Sequence, residues 1–171
     1  MIIVISGTPG TGKHLIGTSI AKSLGYKLLD LNNFISPGKS REKSVSIRKI
    51  NKIASDNIAD DTVIVSHLAH FIRSDKVDFW VVLRCSPLVL YKRLSKRGYT
   101  KDKIYDNVLF EAIDGTYIES IGMHPKTVQI DNTSNPDKTV KSLLKLFKGG
   151  RILEKRIDYS GQIKKITQLF K

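Results

Sequence analysis

Gly7-Thr8-Pro9-Gly10-Thr11-Gly12-Lys13-His14 is the stretch whose residue types and spacing most directly carry chemistry. Its glycines let the backbone turn tightly and aim N–H groups at one point. Such a turn, opening into a helix, binds phosphate oxygens. A lysine after the last glycine reaches the terminal phosphates of a nucleotide, giving the P-loop pattern G-x-x-x-x-G-K-S/T. Here the final Ser or Thr is replaced by His14, and Leu15 supplies no hydroxyl either.

The elements that must position this loop follow from apolar spacing. Ile2 to Ile5 reads as a buried strand leading into the loop, and Leu15, Ile16, Ser19, Ile20 and Leu24 form a helix stopped by Gly25. Further strands are expected at Tyr26 to Asp30, Thr62 to Val65, Asp78 to Leu83 and Thr127 to Ile130. Helices are expected from Ile47 to about Asp60, after Ser86-Pro87 to Gly98, and from about Lys101 to Ile121, where Gly115 is a weak point. Val140, Leu143, Leu144 and Phe147 predict another helix, and Ile163, Ile166 and Leu169 a small closing one. Nearly all-apolar strands alternating with helices imply an α/β fold, a five-stranded parallel sheet with helices on both faces. Ligands of such sheets bind beyond the carboxyl ends of the strands. That edge gathers the loop, Asp30 to Asn32, Ser66-His67, Cys85-Ser86 and the turn from Asp131 to Pro136.

The 171 residues fit a single domain with a substantial core. No apolar run approaches the ~20 residues of a membrane span, and the short N-terminal run does not resemble a signal peptide. A lone cysteine, Cys85, excludes an internal disulfide and predicts a cytoplasmic protein in which it is a small buried apolar residue. Lys and Arg exceed Asp and Glu by 29 to 16, a net charge of +13. From Lys138 onward, ten basic residues face two acidic ones. Such a balance suits nucleotides or RNA, or is simply a solvated lysine-rich surface.

The P-loop, His67-Leu68-Ala69-His70, Val82-Leu83-Arg84, Leu90 to Leu94, Lys96-Arg97-Gly98-Tyr99, and Asp106-Asn107 with Glu111 together form a more specific pattern. In these the chain resembles the adenylate kinase isoenzyme 6 family, also called coilin-interacting nuclear ATPase, and especially its archaeal members. The likeness runs from Met1 to about Phe147 and makes the expected fold that of a P-loop nucleoside monophosphate kinase. It implies phosphoryl transfer from ATP to AMP, with ATPase activity alongside. It also implies an acceptor-binding segment at about 30–53, a lid at about 96–106, and a role in maturation of the small ribosomal subunit. A small-subunit ribosomal protein or rRNA would be the partner, and the basic tail at 151–171 is compatible with that.

Within this resemblance the catalytic set is Lys13, Arg93, Arg97 and His67. The loop residues Gly7, Pro9, Gly10, Thr11, Gly12, Lys13, His14 and Leu15, with Arg97 at the lid and Asn132 beside the adenine, would bind ATP. Asp30 and Asn32 would face the AMP side, although an Asp-x-Asn stretch is equally a natural turn former. Arg97 also reads as a solvated cation at a helix end. His67 and His70 lack the further ligands of a zinc site, and His70 reads as packing or capping.

Magnesium is the exception. P-loop enzymes hold it with the loop hydroxyl and an acidic residue ending a neighbouring strand. Here those positions are His14 and Val65, so no residue is assigned as a metal ligand and magnesium would be only weakly anchored. His14 has three readings: a phosphate donor, a ligand for a softer ion such as manganese or zinc, or a tolerated polar residue. A His14→Thr, Val65→Asp double variant is expected to raise magnesium-dependent turnover; unchanged turnover would show that neither substitution is limiting.

Overall fold

The computed structural model describes residues 1–35, 45–151 and 156–170. β1 (Ile2–Ser6) is buried along its whole length, since no polar side chain interrupts the run before Ser6. It leads through the glycine-rich turn into α1 (Lys13–Leu24) and then β2 (Lys27–Asp30). A short α2 (Asn32–Ile35), α3 (Ile47–Asn57) and β3 (Thr62–Val65) follow, then a 3-10 turn at Ala69–Phe71 and β4 (Phe79–Arg84). The chain continues through α4 (Pro87–Lys96), α5 (Lys101–Ala112), α6 (Gly115–Met123), β5 (Val128–Asp131), α7 (Pro136–Phe147) and α8 (Ile163–Leu169).

The strand order is β2-β3-β1-β4-β5, and every pairing is parallel. Alternation along β1 divides the core. Ile3 and Ile5 pack with Ile16 and Ile20 of α1 and with Leu143 and Phe147 of α7. Ile2 and Val4 face Ile50 and Ala54 of α3, with Ile64 and Trp80 from neighbouring strands. A third cluster joins Leu90 and Leu94 of α4, Ile104 and Val108 of α5, and Ile166 of α8. The expected helix-covered parallel sheet is therefore present.

One expectation needs correction. The helix expected from Lys101 to Ile121 is two helices, α5 and α6, separated at Ile113-Asp114, with Asp114 at φ 61°. The cause lies in β4. The buried Arg84 guanidinium donates to the Glu111 carbonyl at 2.9 Å and to the Asp114 carboxylate at 2.5 Å, which stops α5 and turns the chain. The small closing helix is present as α8; its Leu169 is 46% exposed, and Phe170 meets Tyr91 and Tyr105 edge-on. The basic tail is docked where it is described. The Tyr159 hydroxyl donates to Asp131 at 3.0 Å, and Gln162 accepts from the Ser86 hydroxyl at 3.0 Å. Of the acceptor segment expected at 30–53, residues 36–44 lie outside the described residues, as do 152–155 of the tail.

One buried charge pair joins these parts. Arg84 Nε donates to Glu111 Oε1 at 2.7 Å, and both side chains are 1% exposed. The same oxygen accepts the Cys85 N–H at 3.0 Å, while Oε2 accepts the Thr8 hydroxyl of the loop at 2.5 Å. Removing one member of such a pair leaves an uncompensated charge away from water. Glu111→Ala is therefore expected to cost about 3–5 kcal/mol in chemical denaturation. A loss near that of an average surface substitution would show that Arg84 is satisfied without it.

Candidate nucleotide site

The loop takes its shape from its glycines. Gly7 has φ 145°, and a Cβ there would stand 2.5 Å from the Leu83 carbonyl oxygen; Gly12 has φ 100°, with the Asn132 amide 2.6 Å from its absent Cβ. Thr11, fully buried, donates its hydroxyl to the Thr8 carbonyl at 2.9 Å. Lys13 Nζ donates to the carbonyls of Gly7 at 2.7 Å and Thr8 at 3.0 Å. Loss of water, and then the positive charge of Arg97, pull the Lys13 pKa down to about 7, against the attraction of Glu111. Phosphate oxygens arriving at this point would restore its charge.

The loop forms one wall of a cleft of about 900 Å³ at the carboxyl end of the sheet. Pro9, Gly10, Gly12, Lys13, His14, Leu15, Arg93, Arg97 and Asn132 line it, opposite Asp30, Asn32 and His67. Of the expected site residues, Gly7 and Thr11 do not line it; both are buried behind the loop. Ser66 and Pro136, expected at this edge of the sheet, line it, as does Tyr99 of the lid motif; Thr18 and Ser19 of α1 are lining residues that the sequence reasoning did not select.

The side chains divide by what they already hold. Arg93 donates to the carbonyls of Gly10 at 3.3 Å, Asn132 at 3.2 Å and Thr133 at 2.7 Å, so it braces the loop against the turn after β5. Arg97, exposed at the end of α4, sits at the cleft mouth close enough for its charge to act on Lys13. Asn132 is buried and clasps the loop from behind, its amide donating to the Thr11 carbonyl at 2.8 Å. Its side-chain oxygen lacks a hydrogen-bond partner.

At the opposite wall, Asp30 Oδ1 accepts the Asn32 backbone N–H at 2.9 Å and the Asn32 side-chain amide at 2.7 Å. Asp30 Oδ2 meets His14 Nδ1 at 3.1 Å. This contact joins a residue expected at the ATP phosphates to one expected at the acceptor. Val65, the register partner of Asp30, ends β3 1% exposed and offers no donor atom. The residues therefore do not fit the usual all-oxygen magnesium anchors. Among the described residues, no three His, Cys, Asp or Glu gather as a metal set.

The two histidines of the His67–His70 pair separate. His67 lines the cleft, where loss of water and then Lys13 lower its pKa. His70 is buried behind the loop, with Nδ1 2.8 Å from the Ser6 hydroxyl and Nε2 3.0 Å from Glu119. Its carbonyl accepts from His124, whose ring stacks on Trp80 at 3.4 Å.

A protein of Pyrococcus abyssi named "Putative adenylate kinase" is 36% identical over 157 residues, covering 88% of this chain and 86% of its own. One of the same name from Methanocaldococcus jannaschii is 31% identical, covering 78% of each. A family model described as an AAA domain matches residues 3–114. The chain belongs to this family. Solved structures share the family's P-loop fold. The YorR protein of Bacillus subtilis, solved with phosphorylated GDP, superposes with a TM-score of 0.60 at 20% identity, covering 86% of this chain and 96% of that one. Shikimate kinase from Aquifex aeolicus gives 0.60 at 15%, covering 87% and 97%. At those identities the likeness concerns the fold alone.

In this family member the buried histidine gives a test of how the loop is supported. Burial, then His124 and Lys13, lower the His70 pKa from 6.5 to about 4. The ring itself is 2% exposed, and its contact with Glu119 at 3.0 Å lies at the partly solvated side. Native His70 is thus neutral where the unfolded chain binds a proton, and stability falls as pH drops from 6.5 through about 4. Melting temperature is expected to decline across that window, and less steeply in His70→Gln; equal slopes would remove His70 as a source.

Proposed function

We propose that the chain is a nucleoside monophosphate kinase that moves the terminal phosphoryl group of ATP to AMP, giving two ADP, with ATP hydrolysis as a side activity. The observation that carries this reading is one cleft holding Lys13, Arg93 and Arg97 on one side and Asp30 and Asn32 on the other. The archaeal relatives named adenylate kinase support the same acceptor class. Phosphoryl transfer asks chiefly for alignment and for neutralisation of the moving charge.

In this reading the loop amides from Gly7 to His14, with Leu15 at the rim, bind the ATP phosphates, and Lys13 leaves its two carbonyl partners to meet the transferred group. Arg97 closes on it from the lid, near 96–106. Arg93 contributes by fixing the loop, and His67 lies near the γ-phosphate and helps place the ion or the water. The turn at Asn132 edges the adenine, while Asp30 and Asn32 hold the acceptor. Magnesium would be anchored by the nucleotide and water rather than by a hydroxyl at position 14.

The finer assignment is the adenylate kinase isoenzyme 6 family, supported by Arg93-Leu94-Ser95-Lys96-Arg97-Gly98-Tyr99 and His67-Leu68-Ala69-His70. It adds a part in small-subunit ribosome maturation, with a ribosomal protein or rRNA as partner. The net charge of +13 is compatible with that role. Because residues 156–170 pack on the body of the protein, the contact would be made by a basic surface rather than by a free arm. No helix among the described residues is long and apolar enough to cross a membrane. The cytoplasmic placement rests on cysteine usage.

His14 and Val65 favour a second reading, a nucleotide-responsive assembly factor with reduced catalysis. A coupled assay of ADP formation from ATP plus AMP separates the two. Lys13→Ala is expected to lower the rate by about 10²-fold or more. A wild-type rate equal to that of the variant would leave the binding role alone.

A further inference from the structure

The contact between His14 and Asp30 is unlike anything the P-loop pattern asks for. His14 stands at the second position of α1, where the pattern puts the metal-binding hydroxyl. Its side chain is 69% exposed and that of Asp30 is 15% exposed, so both open to the cleft. Nδ1 and Oδ2 are 3.1 Å apart. Two donors ~2.1 Å from one octahedral ion, on adjacent coordination positions, stand ~3.0 Å apart. The pair therefore has the spacing of two ligands of a single ion, with a proton now where the ion would sit. Asp30 is held ready for this, because Oδ1 is fixed by both nitrogens of Asn32 while Oδ2 is left to His14.

We propose that His14 and Asp30 together bind the divalent cation of the nucleotide, and that the imidazole makes this site prefer a nitrogen-accepting ion such as Mn²⁺ or Co²⁺ over Mg²⁺. The inference rests on the nucleotide binding proposed above. Magnesium takes oxygen ligands and holds its water, whereas later divalent ions accept imidazole. The remaining coordination positions fall to phosphate oxygens and water, since no third protein ligand gathers among the described residues. For Nδ1 to offer its lone pair to the ion, the ring carries its single proton on Nε2; a proton leaving Nδ1 for solvent is matched by one taken up from solvent at Nε2.

The test uses the full chain with Mn²⁺ and ADP as the probe. Electron spin-echo modulation of bound Mn²⁺ is expected to show a directly coordinated ¹⁴N, absent in His14→Ala and present in His67→Ala. Calorimetry is expected to give ADP an affinity about tenfold higher with Mn²⁺ than with Mg²⁺, a preference that collapses in His14→Thr and shrinks in Asp30→Asn. His14 is exposed, so its variants should keep the melting temperature of the parent. ADP binding with no ¹⁴N coupling, or with a Mn²⁺ preference unchanged in His14→Thr, overturns the metal site and leaves nucleotide binding standing. Failure of ADP to bind with either ion overturns both.

Discussion

Arg84 and Glu111 are each 1% exposed, and an ion pair so far from water is tolerable only when nearly every polar atom on both sides is satisfied. Here the partners come from four separate places. Arg84 leaves β4, donates to Glu111 and Asp114 at the end of α5, and reaches Gln129 in β5 at 2.9 Å. Glu111 returns to Cys85 just after β4 and to Thr8 in the loop. The phosphate loop, the edge strand and the break between α5 and α6 are thereby set by one arrangement of charge. None of them can shift without exposing part of it to an apolar interior.

That dependence explains which features were legible in the sequence. The sheet was, because parallel strands buried on both faces show as uninterrupted apolar runs, and Ile2 to Ile5 or Thr62 to Val65 admit little else. The loop was, because its glycine spacing has few other uses. The break at Asp114 was not: α5 and α6 read as one helix, and what stops it is a guanidinium arriving from β4, some thirty residues earlier. A signal was nonetheless present. Glu111 lies on the same helical face as Ile104 and Val108, where a carboxylate needs a buried cation, and Arg84 at the end of an apolar strand is the matching oddity.

Positive charge around the cleft is similarly divided in a way that spacing alone does not reveal. Arg93 and Arg97 are one helical turn apart and look equivalent in sequence. Three backbone carbonyls occupy Arg93, which makes it a brace, whereas Arg97 remains at the mouth. Lys13 is intermediate, bonded to its own loop and depressed toward neutrality by burial. A loop that holds its lysine against carbonyls already has the curvature a phosphate requires. Binding then exchanges partners rather than refolding the turn, which is where preorganisation lowers cost.

The departures at His14 and Val65 acquire a common cause once the register is known. Val65 and Asp30 are partners across adjacent parallel strands, at the same level of the sheet. Neighbouring strands lie only ~4.8 Å apart. The carboxylate absent from the end of β3 is thus present one strand over, at the end of β2. The imidazole at position 14 meets that carboxylate at 3.1 Å. In the site proposed above, His14 would supply the donor at the loop and Asp30 the carboxylate at the neighbouring strand end.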